Sequence, residues 1–481
     1  MLTKLFKMYQ KADKSGNIIL GFDVKTKKPV AMSLADRMMN TMIISPIGTG
    51  NTTAIVLPTI NQDLHHMVLY INSFRDFLKS KTEIVGERYM SGISVIDPSN
   101  DLCQKTLELV KAHGIPEEVI TYINPLDPNT ASINPMNGPV QEVADTMADV
   151  ILEINSQKEV LSTYEQELRR NHVKLYIYLL KLHDPNIDVT LELLVNMYNN
   201  PQLVEDMLEQ LRGLLPLDIE VSEEQVDRDY WFNALHISDW FTVKLKNDRV
   251  GSDKDANAIR SILMELWENP LIHEVLFGAS NFDFERHMQS GGVLLVNTAK
   301  GDLGPLSSVI GKLILKKLQH ATFRRQPHEI SSYHHILVNE APDYLYREFP
   351  ELTAQTRKYK MIVTTLHQTI EQLVEQFGES YLTTLIGTMR NFMVYGHVST
   401  YEAKYFSSFW GEAEVFANPF LEPFISTAKL VNGNRPMPAQ QIKHSFIPIE
   451  EFIQSKYVVN KESGAFWLQE RMNFEKRNNK F

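Results

Sequence analysis

The stretch TMIISPIGTGNTTAIVLPTI, residues 41–60, decides how the chain is read. An apolar, largely β-branched run, Met42-Ile43-Ile44, stops at Ser45-Pro46, crosses Gly48 and Gly50, and re-emerges at Thr52 with apolar residues at helical spacing. That order is strand, loop, helix. Set on the phosphate-loop pattern G-x-x-x-x-G-K-[ST], residues 45–52 keep the second glycine, Gly50, add Gly48, and keep the hydroxyl residue, Thr52. Ser45 stands where the first glycine belongs and Asn51 where the lysine belongs. The cradle is present and its cation is missing.

Such a loop does two separable jobs. Backbone N–H groups at a helix N-terminus wrap a phosphate and need only small residues around them. The lysine adds a mobile charge that follows the β- and γ-phosphates, which a short neutral amide cannot replace. Its loss costs roughly 1.5–3 kcal/mol of binding and more in rate, on the order of the ~10³–10⁵ that a transition-state cation supplies. The candidate nucleotide-contacting residues are Ser45, Gly48, Thr49, Gly50, Asn51, Thr52 and Thr53.

With 481 residues, 43% hydrophobic and 22% charged, the chain has the size and composition of a globular protein of two to three domains. Cys103 is the single cysteine, which excludes an internal disulfide and a cysteine-based zinc site and fits a reducing compartment. The opening MLTKLFKMYQKADKSG has no apolar signal core, and no apolar run reaches transmembrane length, so a cytoplasmic location is expected. A net charge of −11 argues against a surface coated for nonspecific nucleic-acid binding but leaves room for a basic channel. Cations gather at Lys312, Lys316, Lys317, Arg324 and Arg325, and at Arg169, Arg170 and Lys174; the ordinary expectation for each group is a solvated helix face.

Taken in order, residues 17–32 read as a β-hairpin turning at Thr26-Lys27-Lys28. GISVID (92–97) is a short apolar run of the kind buried on both faces of a parallel sheet. A helix over 101–113, a strand near 119–122 and a Pro/Asn-rich loop over 123–138 follow. The pattern then turns helical, with Val143, Met147, Val150, Ile151 and Ile154 on one stripe and Leu168, Leu175, Tyr176 and Leu179 on the next. No convincing strand interrupts residues 139–280. Trp231, Trp240 and Trp267 within it read as core rather than as stacking platforms for bases. Alternation resumes with strands at 292–298, 336–338, 361–365 and 392–395, which implies a parallel, doubly wound sheet. The expected domains are 1–138 and 286–460 as two parts of one α/β domain, 139–285 as an all-helical insertion, and 461–481 as a tail whose last residues, 474–481, fray.

Glu340 and Gln368 each end an apolar strand, one crossover apart, and so belong at the C-terminal edge of the sheet, where ligands bind. The paired histidines, His65-His66 and His334-His335, point apart on an extended backbone; no HExxH and no G-x-S-x-G occurs.

As an ordered set, SPIGTGNT (45–52), VIDPSND (95–101), INPLDPNTASINPMNG (123–138), LLVNTAKGDLG (294–304), ILVNEAPDYL (336–345), Arg357, TTLHQTIEQL (364–373) and TMRNFMVYGHVSTYEAKYFSSFWG (388–411) resemble the TraG/TraD-type coupling proteins of conjugative type IV secretion. The resemblance implies a RecA-like P-loop NTPase core, a hexameric ring coupling DNA or a relaxase–DNA complex to a secretion channel at the inner membrane, and a helical insertion that recognises substrate. It also implies site roles. Residues 48–52 would cradle the β-phosphate of ATP, with Thr52 on Mg²⁺. Glu340 would orient or deprotonate water, Gln368 would sense the γ-phosphate, and Arg357 would reach a neighbouring subunit's nucleotide.

The departures concentrate in the chemistry. Besides Ser45 and Asn51, Asn339 stands at the Walker B aspartate beside Mg²⁺, the family's Asp-Pro-Lys-Gly reads Asp97-Pro98-Ser99-Asn100, and the family's N-terminal membrane-spanning pair is not seen. One cation and one anion are exchanged for amides. The expectation is a pseudoenzyme: a coupling-protein homologue, cytoplasmic or peripheral at the membrane, with weak or lost ATP hydrolysis, in a homo-hexamer or beside an active paralogue. The alternatives are an active ATP-driven hexameric DNA translocase, with Lys300 supplying the missing charge, and a RecA-like DNA-packaging or partition ATPase.

Overall fold

A computed structural model describes residues 16–80, 89–156, 159, 161–184, 186–214, 233–244, 249–278, 280, 282–326, 332–410, 421–454 and 457–478. Trp231 and residues 479–481 lie outside them. The chain divides into two compact units: residues 1–123, 283–302 and 317–481 form the first, and residues 124–282 with 303–316 the second.

The first unit is built on one sheet. Its described strands are β1 (Ile18–Asp23), β2 (Pro29–Met32), β3 (Thr41–Ile44), β4 (Met90–Asp97), β5 (Ile120–Ile123), β6 (Gly292–Asn297), β7 (Tyr333–Val338), β8 (Met361–His367), β9 (Asn391–Tyr395), β10 (Ile425–Lys429) and β13 (Gln440–Lys443), with a small separate ladder of β11 (Val431–Asn432) and β12 (Arg435–Pro436). The order is β2-β1-β13-β10-β9-β3-β8-β7-β4-β6-β5. From β9 to β5 every neighbouring pair is parallel. β3, β4 and β6 to β9 are buried along their whole length, which is why they read as continuous apolar runs. The fold is α/β with a mostly parallel sheet, as the alternation of elements implies, and it is of the class of the RecA-like core that the resemblance implies.

Sequence reading missed the antiparallel edge. β10 and β13 bridge β9 to the β1–β2 hairpin. ISTAK and QQIK are polar on alternate or consecutive positions and carry no apolar run to mark them. Within the expected tail, Lys461–Asn478 is a helix whose Trp467 is among the largest fully buried side chains, and Arg75 lies over the Phe466 ring at 4.6 Å.

Beneath the sheet runs a buried polar network. Arg37 meets Asp63 in a two-pronged pair, Nη1 to Oδ1 at 2.6 Å and Nη2 to Oδ2 at 2.8 Å. Asp63 Oδ2 also contacts His335 Nδ1 at 2.8 Å, and His335 Nε2 contacts Thr364 Oγ1 at 2.8 Å. The network ties the short helix Leu34–Arg37, the long helix Leu57–Ser80, β7 and β8. His334 faces elsewhere, to Ser94 Oγ at 2.8 Å, so the adjacent histidines do diverge.

All described elements of the second unit are helices or loops, and it is larger than the 139–285 expected, beginning at Asn124 and taking in residues 303–316. Ser162 and Glu165 form a capping box on Thr163–Leu182, and Thr190 caps Leu191–Asn199. The basic clusters are not solvated faces. Lys312 pairs with Glu153 and Lys316 with Asp149, Arg170 reaches Asp145 and Asp149, and Lys174 reaches Asp145 at 2.7 Å. Buried Arg169 pairs with Glu159 at 3.0 Å and Asp255 at 2.9 Å. Lys312, Lys316, Arg169, Arg170 and Lys174 are spent on acids of the same unit, whereas buried Arg325 donates to the carbonyls of Tyr359 at 2.8 Å and Ser332 at 3.3 Å. Trp240 packs edge-on to His172, and Trp267 to His273 and Phe277.

Burial pushes the Asp63 carboxyl up, but the Arg37 guanidinium and the His335 hydrogen bond outweigh it and hold the group well below the usual carboxylate range. A depressed carboxyl contributes stability that is complete above its unfolded value, ~4, and is lost as pH falls below that. Asp63→Asn is therefore expected to cost about 3–5 kcal/mol at pH 7, because it strands Arg37. Urea unfolding of both proteins should show the difference shrinking between pH 5 and pH 3.

Candidate nucleotide-binding cleft

At the C-terminal edge of the parallel strands, the loop after β3 faces the ends of β7 and β8 across an open cleft. Ser45, Gly48, Asn51, Thr52, Asn339, Glu340 and Gln368 line it together, with Pro46, Ile47, Ser99, Leu366 and His367. Thr49, Gly50 and Thr53 shape the loop without being among the lining residues.

The loop is fixed by its own hydroxyls. Ser45 N–H donates to His367 O at 2.8 Å, Ser45 Oγ and Thr49 Oγ1 lie 2.5 Å apart, and Thr49 Oγ1 donates to Pro46 O at 2.9 Å. Gly48 and Gly50 hold φ of +83° and +82°. Gly50 is required twice, since a Cβ there would also sit 2.2 Å from the Phe424 ring. The loop ends in a wide π turn, Thr52–Val56, that continues into Leu57–Ser80 and presents a helix N-terminus to the cleft. Asn51 turns back on that terminus. Its Oδ1 accepts from Thr52 N–H at 2.5 Å and from Thr52 Oγ1 at 3.1 Å. Thr53 Oγ1 donates to Gly50 O at 3.3 Å.

Across the cleft, Asn339 donates from Nδ2 to Asp97 Oδ1 at 2.9 Å, while Leu102 N–H donates to Asp97 Oδ2 at 3.0 Å. Asp97 is fully buried; burial pushes its carboxyl up, against the Asn339 and backbone hydrogen bonds that favour the charged form. Glu340 follows β7 in a left-handed conformation, φ 49° and ψ 50°. Its Oε1 accepts from Gln368 Nε2 at 3.1 Å and its Oε2 from Lys300 Nζ at 3.2 Å. Lys300 also donates to Asp343 Oδ2 at 2.6 Å. His367 supplies no positive charge: burial lowers its pKa to about 3.

The two candidate cations stand away from the loop. Lys300 reaches the site from β6, with β4, β7 and β8 between its strand and β3, and two carboxylates occupy it. Arg357 is exposed and precedes β8, a strand of seven residues, so it stands about 20 Å from Gln368, at the other end of the sheet. The structure does not bring it to the cleft of its own chain. Sequence reading passed over Ser99, Asp343, His367 and Phe424. Asp343 lies one turn beyond Glu340 and Ser99 sits in the named Asp-Pro-Ser-Asn, so both carried a signal; Phe424 carried none.

A family model described as type IV secretory system conjugative DNA transfer matches residues 88–420. No curated protein sequence matches the chain. Among solved structures, the plasmid coupling protein TrwB in complex with ADP and Mg²⁺ is 13% identical, with 93% of this chain and 92% of that one covered and a TM-score of 0.55. TrwB in complex with a non-hydrolysable ATP analogue is 13% identical over the same shares, with a TM-score of 0.53. VirB4 of Thermoanaerobacter pseudethanolicus is 12% identical, with 90% and 98% covered and a TM-score of 0.50. At these identities the likeness is one of fold.

The contact between Asn339 and Asp97 yields a prediction. Asn339→Asp would set two carboxylates within hydrogen-bond distance in a buried place, which raises the pKa of one of them. The variant should lose about 2 kcal/mol at pH 7, equivalent to a rise of one to two pKa units. A raised carboxyl destabilises above its folded value and not below its unfolded one, so the deficit should vanish below about pH 4. Denaturant titrations at pH 7 and pH 4 check this; equal deficits at both would contradict it.

Proposed function

Because the chain belongs to the conjugative DNA-transfer family of type IV secretory systems, we propose that it acts as a coupling protein that recruits DNA or a relaxase–DNA complex to the secretion channel, with ATP hydrolysis weak or lost. One observation carries the second half of that reading: the polar groups of the cleft already satisfy one another. Thr52 hydroxyl donates to Asn51, Asn339 donates to Asp97, and both oxygens of Glu340 accept from Lys300 and Gln368. In a working site those groups face Mg²⁺, water and phosphate.

The residues fit the phosphates of ATP better than they fit the metal. Backbone N–H groups of residues 48–52, at the start of a long helix, would hold a β-phosphate. Thr52 and Asn339 would hold Mg²⁺, one hydroxyl and one neutral amide without a carboxylate between them. Mg²⁺ bound there would neutralise phosphate charge. Glu340 would take an attacking water, Gln368 would meet the γ-phosphate, and Arg357, far from its own cleft, would serve a neighbouring subunit in a homo-hexamer or in a ring shared with an active paralogue. Among the described residues no helix is long and apolar enough to cross a membrane, which supports a cytoplasmic or peripheral subunit that meets channel proteins at the inner membrane. A net charge of −11 confines DNA contact to local surfaces.

The active-translocase reading keeps one observation in its favour, that Glu340 and Gln368 stand in contact at the cleft. Equilibrium titration with MgATP separates the two. The wild-type chain should bind in the millimolar range or not measurably, and Asn51→Lys should tighten binding by at least about tenfold, the worth of one charge-assisted contact. Micromolar binding by the wild type, or no response to Asn51→Lys, would contradict the proposal.

A further inference from the structure

Glu340 is gripped from two strands. Gln368 reaches it from the end of β8, and Lys300 from the end of β6, past the end of β4. The anchorage of Lys300 is tight. Its backbone N–H donates to Pro98 O at 2.9 Å, and the preceding Ala299 holds a left-handed φ of 49° with its N–H on Asn297 Oδ1 at 2.9 Å. Glu340 is left-handed as well, at the same φ. Two residues other than glycine in this conformation, on either side of β4, are backbone strain placed at one rim. The side chains of Lys300 and Glu340 meet at 3.2 Å, and Asp343 adds a second carboxylate at 2.6 Å from the ammonium.

We propose that Lys300 is the positioning residue of Glu340: a tethered cation that occupies one carboxylate oxygen while Gln368 occupies the other, so that a water reaching Glu340 must first displace it. An ordinary half-exposed ion pair would be worth little and would leave its surroundings unmoved when removed. This pair has two further partners, Asp343 and Gln368, and two strained anchors. The proposal deepens the reading of the cleft as a nucleotide site and makes Lys300 the restraint on its base.

The full-length chain tests it in two ways. Selective ¹⁵N-glutamine labelling, with Gln368 assigned by Gln368→Met, reads the side-chain amide of Gln368 without nucleotide. Lys300→Met should move that amide signal as far as Glu340→Ala does, and Lys300→Arg should leave it near its wild-type position. An amide signal unmoved by Lys300→Met overturns the proposal. Phosphate release at saturating MgATP in the Asn51→Lys background reads the consequence. Adding Lys300→Met should raise kcat about fivefold, the order of one half-exposed ion pair, with KM unchanged, while Lys300→Arg does not. An unchanged or lower kcat also overturns it. If no variant binds MgATP, the nucleotide reading of the cleft fails, and the amide signal alone still decides whether Lys300 positions Glu340.

Discussion

The hydrogen bond from Asn339 to Asp97 is the constraint from which the rest of the cleft follows. Asp97 is wholly out of solvent at the end of β4, and a carboxylate in that position needs donors on every side. An amide at residue 339 supplies one at 2.9 Å; an aspartate there would supply a second negative charge instead. The same substitution of neighbour for ligand recurs along the rim. Asn51 accepts from the Thr52 hydroxyl, and Lys300 and Gln368 divide the oxygens of Glu340. Each of these groups thus has a partner within the chain.

The scaffold makes that closure possible. Parallel pairing of β3, β8, β7, β4 and β6 brings five strand ends to one edge, in that order. Groups separated by hundreds of residues thereby come within hydrogen-bond distance. Beneath the sheet, the Arg37–Asp63–His335 network pins β7, β8 and the helix behind the loop to one another, so the ends that carry Glu340 and Gln368 share a rigid base.

Much of this was legible in the sequence, for physical reasons that can be named. Strands buried on both faces must be apolar throughout, and GISVID, GVLLVNT and ILV stand out on that ground. A turn that needs positive φ favours glycine, and Gly48 and Gly50 marked the loop. What stayed hidden was set by partners far along the chain. Nothing local in ISTAK or QQIK says that they complete a sheet edge, and nothing local in Lys312 or Lys316 says that acids of the 140–156 helix await them. Lys300 read as a free charge beside a glycine; only the fold shows it committed to Glu340 and Asp343. The residue types at the cleft could be read from the sequence, and their mutual engagement could not.

A direct measurement of the central claim is phosphate release by the wild-type chain with Mg²⁺, ATP and single-stranded DNA, set against Glu340→Gln. If the cleft is closed on itself, the two proteins should release phosphate at the same rate, far below the 1–100 s⁻¹ typical of phosphoryl-transfer enzymes. Turnover of about 1 s⁻¹ that disappears in Glu340→Gln would contradict the account.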